Sequence, residues 1–466
     1  MRAATIFFAG LALRLGLIAR FPVIFGGDPM GRMLHRDRIL VSHHLPLVQI
    51  VVAAVSRLTQ NYMAVMIAMA AIGALVGVAF YLLARDFFDE RVAFFGGLIM
   101  SAEPMVAAHS IVPYQESLML VCVLFAFHYF YAEKFGSASI WLALGCITRY
   151  EAWIAAPVLA GAYLLRRRSV AGIALFGWAP VAWMIFRRGL APEGSYVIES
   201  TFEPARMMRW VYLGYITAKF TPIIVLVLAA AGLWYFPWKE LGAGIGKPQM
   251  DARFTTLLAM LAFFILFTVA VLFSAHGVLP DPTRRIASRE AHFWMAAVVF
   301  LAAIALEHLT RYRSAVAIIA IAFGIWGAYQ YVARENSDPR LELSYRLAKF
   351  FDRELQPGER ALVLAPPWDR ELFDFYLQRA RETGGESRYQ AAVRNLAETA
   401  DMSPPDYQRM LIHSRLDRST LVDQASSCTQ WVAVWSDFPG PASIGTPVEV
   451  LRAKDLSVKI ARRLCR

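Results

Sequence analysis

About eleven apolar stretches, each long or nearly long enough to cross a hydrocarbon core, follow one another through the first three quarters of the chain, and a polar tail succeeds them. A spanning helix needs about 20 consecutive apolar residues, and segments 64–83, 254–273 and 315–331 meet that need. The chain is 58% hydrophobic with a mean hydropathy of +0.45, more apolar than a soluble core requires. A multi-pass α-helical membrane protein is therefore expected, with a transmembrane domain over 1–333 and a soluble domain over 334–466. The net charge of +11 comes from short connectors between apolar spans. That distribution fits anionic lipid and membrane topology, and argues against nucleic acid as a partner. Residues 1–25 carry Arg14 and Arg20 inside the apolar run and lack a small-x-small cleavage site, so they read as an uncleaved first span.

With a cytoplasmic amino terminus, the spans fall near 4–25, 61–84, 92–111, 115–133, 139–150, 152–165, 170–187, 212–235, 254–274, 291–307 and 315–333. The cytoplasmic connectors then hold Arg85, Arg91, Lys134, Arg166, Arg167, Arg168, Lys239, Lys247, Arg253, Arg311 and Arg313, the positive-inside pattern. An odd number of crossings sends the tail to the exoplasmic side. The fifth and sixth spans are short, and Thr148, Arg149, Tyr150 and Glu151 lie between them. A broken helix in a bilayer has to line protein or water, because unsatisfied backbone is costly in lipid. Arg206, Arg209, Arg284, Arg285 and Arg289 run against the positive-inside trend. Two readings stand for them: headgroup contact or pairing with nearby acids, and a site for a lipid-borne phosphate or pyrophosphate, which suits the forked donors of arginine.

The first loop opens with Gly26, Gly27, Asp28, Pro29, Met30, Gly31, Arg32 and Met33 directly beyond a span. Met30, Met33, Leu34, Leu40 and Val41 recur at roughly helical spacing, opposite Arg32, His35, Arg36 and Arg38, which predicts a helix lying on the membrane. A second surface helix is expected over 47–58. Asp28 followed by Pro29 is a good helix start, with Asp as N-cap. The same carboxylate can also accept a proton from a hydroxyl placed within hydrogen-bond reach. His43 and His44 are adjacent, a poor spacing for shared metal ligation, and read as surface residues.

Three motifs, GGDPMGRM at 26–33, SAEPMVAAHSIVPYQES at 101–117 and CITRYEAW at 146–153, together with the polar tail, resemble the GT-C superfamily of integral-membrane glycosyltransferases, in particular the branch of protein mannosyltransferases and aminoarabinose transferases. The resemblance implies transfer, with inversion, of a sugar from a polyprenyl-phosphate donor to an exoplasmic acceptor, whether glycan, lipid or protein. It makes Asp28 the catalytic base. The implied substrate-binding residues are Arg32, Glu103, His109, Glu116, Arg149 and Glu151, and Arg206, Arg209, Arg284, Arg285 and Arg289 would bind the lipid phosphate. A phosphate leaving group needs charge stabilisation more than protonation, so one carboxylate and an arginine cluster suffice. The chain departs from the family in lacking an adjacent Asp-Glu pair in the first loop and an Asp-x-Asp in exoplasmic loops. No metal or other cofactor is therefore expected, the donor phosphate being neutralised by arginine.

Structural alternatives accompany several of these residues. Glu116 at a helix start is favourable against the macrodipole, Glu103 can partner a buried arginine, and Arg149 with Glu151 can simply tie the helix break together. Transport or flipping of an anionic lipid or solute is the competing class, since charges within spans also mark transport paths.

In the tail, 341–355 reads as an amphipathic helix, 361–365 as a buried strand, 371–381 as helix, and 431–435 as an apolar run able to join the same sheet, giving a small α/β domain. Its strand ends carry no glycine-rich phosphate motif. Cys122 and Cys146 lie in apolar spans and read as small hydrophobes. Cys428 and Cys465 lie in the tail, where a bond forms only in an oxidising compartment.

Overall fold

The computed structural model describes residues 1–21, 45–59, 62–190, 217–238, 251–273, 292–354, 361–364, 393–394, 431–436, 447–454 and 456–462, together with positions 29, 32, 33, 36, 39 and 215. Cα packing divides the chain into two compact units. One comprises Met1–Val23, His35–Thr59 and Met63–Ala333, and the other Ile24–Leu34, Gln60–Tyr62 and Arg334–Arg466.

The first unit is helical. In chain order its elements are α1 (Arg2–Arg20), α2 (Pro46–Thr59), α3 (Tyr62–Arg85), α4 (Glu90–Ala102), α5 (Pro104–His109), α6 (Glu116–Tyr131), α7 (Phe135–Cys146), a 3-10 turn (Tyr150–Ile154), α8 (Ala155–Arg167), α9 (Ala171–Leu190), α10 (Ile223–Tyr235), α11 (Ala252–Phe273), α12 (His292–His308) and α13 (Arg313–Asn336), whose last turn passes into the second unit. Among the described residues, Arg2–Arg20, Met63–Arg85, Ala252–Val269 and Arg313–Asn336 are long and apolar enough to cross a bilayer. Shorter apolar helices, including Glu116–Tyr131, Ala171–Phe186, Ile223–Tyr235 and His292–His308, accompany them.

The span expected over 92–111 is not one helix. It stops at Ala102 and restarts at Pro104, because Pro104 has no N–H to donate and Glu103 takes up the N-cap role, its carboxylate accepting from the Val106 N–H at 2.8 Å. The break expected at 148–151 is present: α7 ends at Cys146, Arg149 is extended (φ −148°, ψ 147°), and the 3-10 turn begins at Tyr150. A helix at 46–59 stands where a second first-loop helix is expected.

Glycines let the helices approach closely, as packing in lipid favours. A Cβ on Gly77 of α3 would lie 2.7 Å from the Gly97 carbonyl oxygen of α4, and one on Gly232 of α10 would lie 1.8 Å from that of Leu301 in α12. On α13, Gly324 and Gly327 face the first break, where a Cβ would come within 2.7 Å of the Ala102 carbonyl oxygen and of Pro104 Cγ respectively.

The second unit contains α14 (Pro339–Glu354) and a five-stranded mixed sheet of β1 (Ala361–Leu364), β2 (Val393–Arg394), β3 (Trp431–Trp435), β4 (Glu449–Ala453) and β5 (Leu456–Arg462), in the order β2-β1-β3-β5-β4. β1 runs parallel to both neighbours, with Ala361 opposite Trp431. β5 is antiparallel to β3 and β4, with Ala433 opposite Ile460. The apolar face of α14 buries Leu343, Leu347, Phe350 and Phe351, and the Phe350 and Phe351 rings meet Trp431 at 5.5 and 6.4 Å. The helix expected at 371–381 lies outside the described residues, as do Cys428 and Cys465. Cys122 and Cys146 are buried free thiols.

Candidate active site

Arg149 is the centre of the charged cluster at the second break. Its guanidinium forks onto Glu151, Nε donating to Oε2 at 2.9 Å and Nη2 to Oε1, while Nη1 donates to Oε1 of Glu116. Glu116 is the first residue of α6 and is 1% exposed. Its charge gains from the helix amino terminus as well as from the arginine. The side chains of Arg149 and Glu151 are 14% and 24% exposed, so the open side of the cluster lies with Glu151. Glu116 Oε2 has no hydrogen-bond partner among the described residues. Such a cluster is an array of fixed acceptors suited to hydroxyl groups.

The backbone freed by the break is satisfied locally, as a low-dielectric setting demands. Thr148 and Arg149 N–H groups donate to Gly145 O at 2.9 and 3.1 Å, and Leu47 N–H at the start of α2 donates to Ile147 O at 3.1 Å. Thr148 Oγ1 donates to Leu144 O at 2.7 Å, and the Trp153 indole N–H to Cys146 O at 2.9 Å.

A second constellation surrounds the first break. Glu103 is buried there as the cap of α5, and Arg14 of α1 lies within electrostatic range of it. At the other end of α5, His109 Nε2 shares a 2.8 Å hydrogen bond with the Tyr331 hydroxyl of α13 and stacks on His292 of α12 at 4.8 Å. The Tyr114 ring lies 5.0 Å away.

Of the residues singled out from sequence, Glu116, Arg149 and Glu151 form one cluster, and Glu103 and His109 share the two ends of one short helix. Arg32 is buried and belongs to the second unit. Asp28, Arg206, Arg209, Arg284, Arg285 and Arg289 lie outside the described residues. Among the described residues there is no group of three or more His, Cys, Asp or Glu side chains that could hold a metal ion. The sequence reading missed Arg14, Tyr331 and His292. For Arg14 the signal was present, since a charge inside an apolar span is itself a functional marker.

No family model matches the chain, and no curated protein matches it significantly. Solved structures do. The crystal structure of ArnT, an aminoarabinose transferase, from Cupriavidus metallidurans bound to undecaprenyl phosphate superposes with a TM-score of 0.56 at 15% identity, covering 88% of this chain and 93% of that one. The Archaeoglobus fulgidus oligosaccharyltransferase in its apo form gives 0.53 at 12% identity, covering 92% and 69%, and its complex tethered to an acceptor peptide containing the NVT sequon gives 0.51 at 12%, covering 92% and 68%. These neighbours are GT-C glycosyltransferases, and theirs is the fold of this chain. With its apolar helices, that fold makes the protein an integral membrane protein.

Proposed function

We propose that the protein is an inverting glycosyltransferase that moves a sugar from a polyprenyl-phosphate-linked donor to an exoplasmic acceptor. The observation that carries this reading is the fold likeness over 88% of the chain to an enzyme crystallised with undecaprenyl phosphate. In the proposed reaction Asp28 takes the proton of the acceptor hydroxyl as its oxygen bonds to the anomeric carbon. The bond from that carbon to the phosphate oxygen breaks, and the polyprenyl phosphate leaves with the electron pair. Arg206, Arg209, Arg284, Arg285 and Arg289 are assigned to the phosphate charge, and no metal is invoked. Glu116, Arg149 and Glu151 supply fixed polar groups for sugar hydroxyls, with Arg32, Glu103 and His109 contributing to the surroundings of the substrate. On this reading about eleven spans carry the chain across the membrane, and the 334–466 unit stands on the exoplasmic side.

The test is transfer of radiolabelled sugar from a panel of polyprenyl-phosphate donors by purified protein in lipid, beside Asp28→Asn. Turnover lost in the variant, with donor binding retained, is the expected result. Wild-type turnover in Asp28→Asn overturns the base assignment. A second reading, transport of an anionic lipid or solute, draws on the two helix interruptions found among the described residues. It predicts flux across proteoliposomes without sugar transfer.

A further inference from the structure

Arg14 sits within an apolar helix, is fully buried, and has no part in the chemistry above. Burying a guanidinium at that depth is costly enough that its partners identify its task. Nε donates to Ser110 Oγ at 2.6 Å, and Nη1 donates to the carbonyls of Gly10 at 2.9 Å and Ser101 at 3.1 Å. In a continuous helix the Ser101 carbonyl would accept from the Met105 N–H. Here the Glu103 carboxylate caps α5 by accepting from the Val106 N–H, and Arg14 donates to the Ser101 carbonyl across the interruption. Ser110 in turn donates to Val106 O at 2.6 Å, so Arg14 grips the chain on both sides of the six-residue α5, a helix too short to persist unaided.

The grip bears on the candidate site because α5 carries Glu103 as its cap and His109 as its last residue.

We propose that Arg14 is a positioning residue: by holding the α4–α5 interruption against α1 it fixes α5 and, with it, Glu103 and His109. Its catalytic consequence rests on the transfer reading above; its structural consequence does not. The experiment uses the full chain in lipid nanodiscs, as wild type, Arg14→Met, Arg14→Lys and Ser110→Ala, with amide hydrogen exchange and sugar transfer measured on each. In folded Arg14→Met, exchange across 104–115 rises by about tenfold or more while 155–167 is unchanged. Transfer kcat falls by about 10²-fold with donor KM little altered, the signature of misplacement rather than lost binding. Arg14→Lys recovers part of both effects. If Arg14→Met does not fold, Ser110→Ala decides the question, because it removes the Nε acceptor and leaves the charge; the same local rise in exchange is expected. Unchanged exchange across 104–115 in a folded variant overturns the proposal. So does kcat that stays at the wild-type level, or that falls only in step with the folded fraction. A wild type inactive with every donor overturns the transfer reading instead, and the exchange result still judges Arg14.

Discussion

Arg149 reaches across 33 positions of sequence to donate to the buried Glu116 carboxylate while its other edge forks onto Glu151, so one guanidinium joins the helix break to the start of α6. Arg149→Gln leaves Glu116 buried without its cation, at a cost of about 3–5 kcal/mol. Thermal unfolding in detergent should show the loss, and Arg149→Gln combined with Glu116→Gln should recover most of it. If the pair also binds sugar, the double variant regains stability but not transfer. Recovery of both would make the pair purely structural.

Gly73 of α3 admits no larger side chain. An added Cβ would lie 2.2 Å from Ser110 Cβ and 2.6 Å from Arg14 Nε, whereas one on Gly16 meets nothing within 4 Å. Gly73→Ala is expected to destabilise by about 1–3 kcal/mol. Gly16→Ala on the same test should be neutral, or stabilising by about 0.5–1 kcal/mol through helix propensity. Equal midpoints for the two variants would contradict the packing.

Asp89 begins α4 as its N-cap, accepting from the Arg91 and Val92 N–H groups at 2.8 and 2.9 Å, and it pairs with Arg313. Partial burial pushes its carboxyl up, but the Val92 N–H, the Arg313 guanidinium and the Arg91 N–H outweigh it and hold it below the usual carboxylate range. Its stabilisation is therefore complete above the unfolded value of about 3.9 and disappears as pH falls through the lower folded value. Asp89→Ala should cost about 1 kcal/mol near neutrality. The midpoint gap from wild type should narrow as the solution is taken below pH about 4. A gap that widens there has the wrong sign.

Trp431 in β3 is buried against Phe350 and Phe351 of α14. Trp431→Ala removes the ring that joins helix to sheet, and a loss of about 3–5 kcal/mol is expected. Urea unfolding followed by strand-region hydrogen exchange measures it. An unaltered midpoint would place the core of this unit elsewhere.

What the sequence showed and what it hid have physical reasons. The apolar runs, the 148–151 interruption and the strands at 361–364 and 431–435 were legible because period, length and turn residues agree locally. The Glu103–Pro104 interruption carries the same acid-then-proline helix start as Asp28–Pro29, but the apolar residues on either side mask it. The β4–β5 hairpin was not anticipated, because Arg452, Lys454 and Lys459 dilute its alternation. Contacts such as His109 with Tyr331 join residues 222 positions apart and have no local signature. The Glu116–Arg149–Glu151 group was named residue by residue, but its pairing depends on how α6 meets the break. Asp28, Arg206, Arg209, Arg284, Arg285 and Arg289 lie outside the described residues, and their assignments rest on motif and charge.

The glycine face of α13 bears on how the protein is made. Gly324 and Gly327 close over Ala102 and Pro104, yet they leave the ribosome more than 200 residues later, which at ~5–20 residues per second is a delay of tens of seconds. Through that interval the nascent first half holds an interrupted helix without its final cover. A chain truncated before α13 would leave the Glu103–Pro104 interruption without the helix that closes on it.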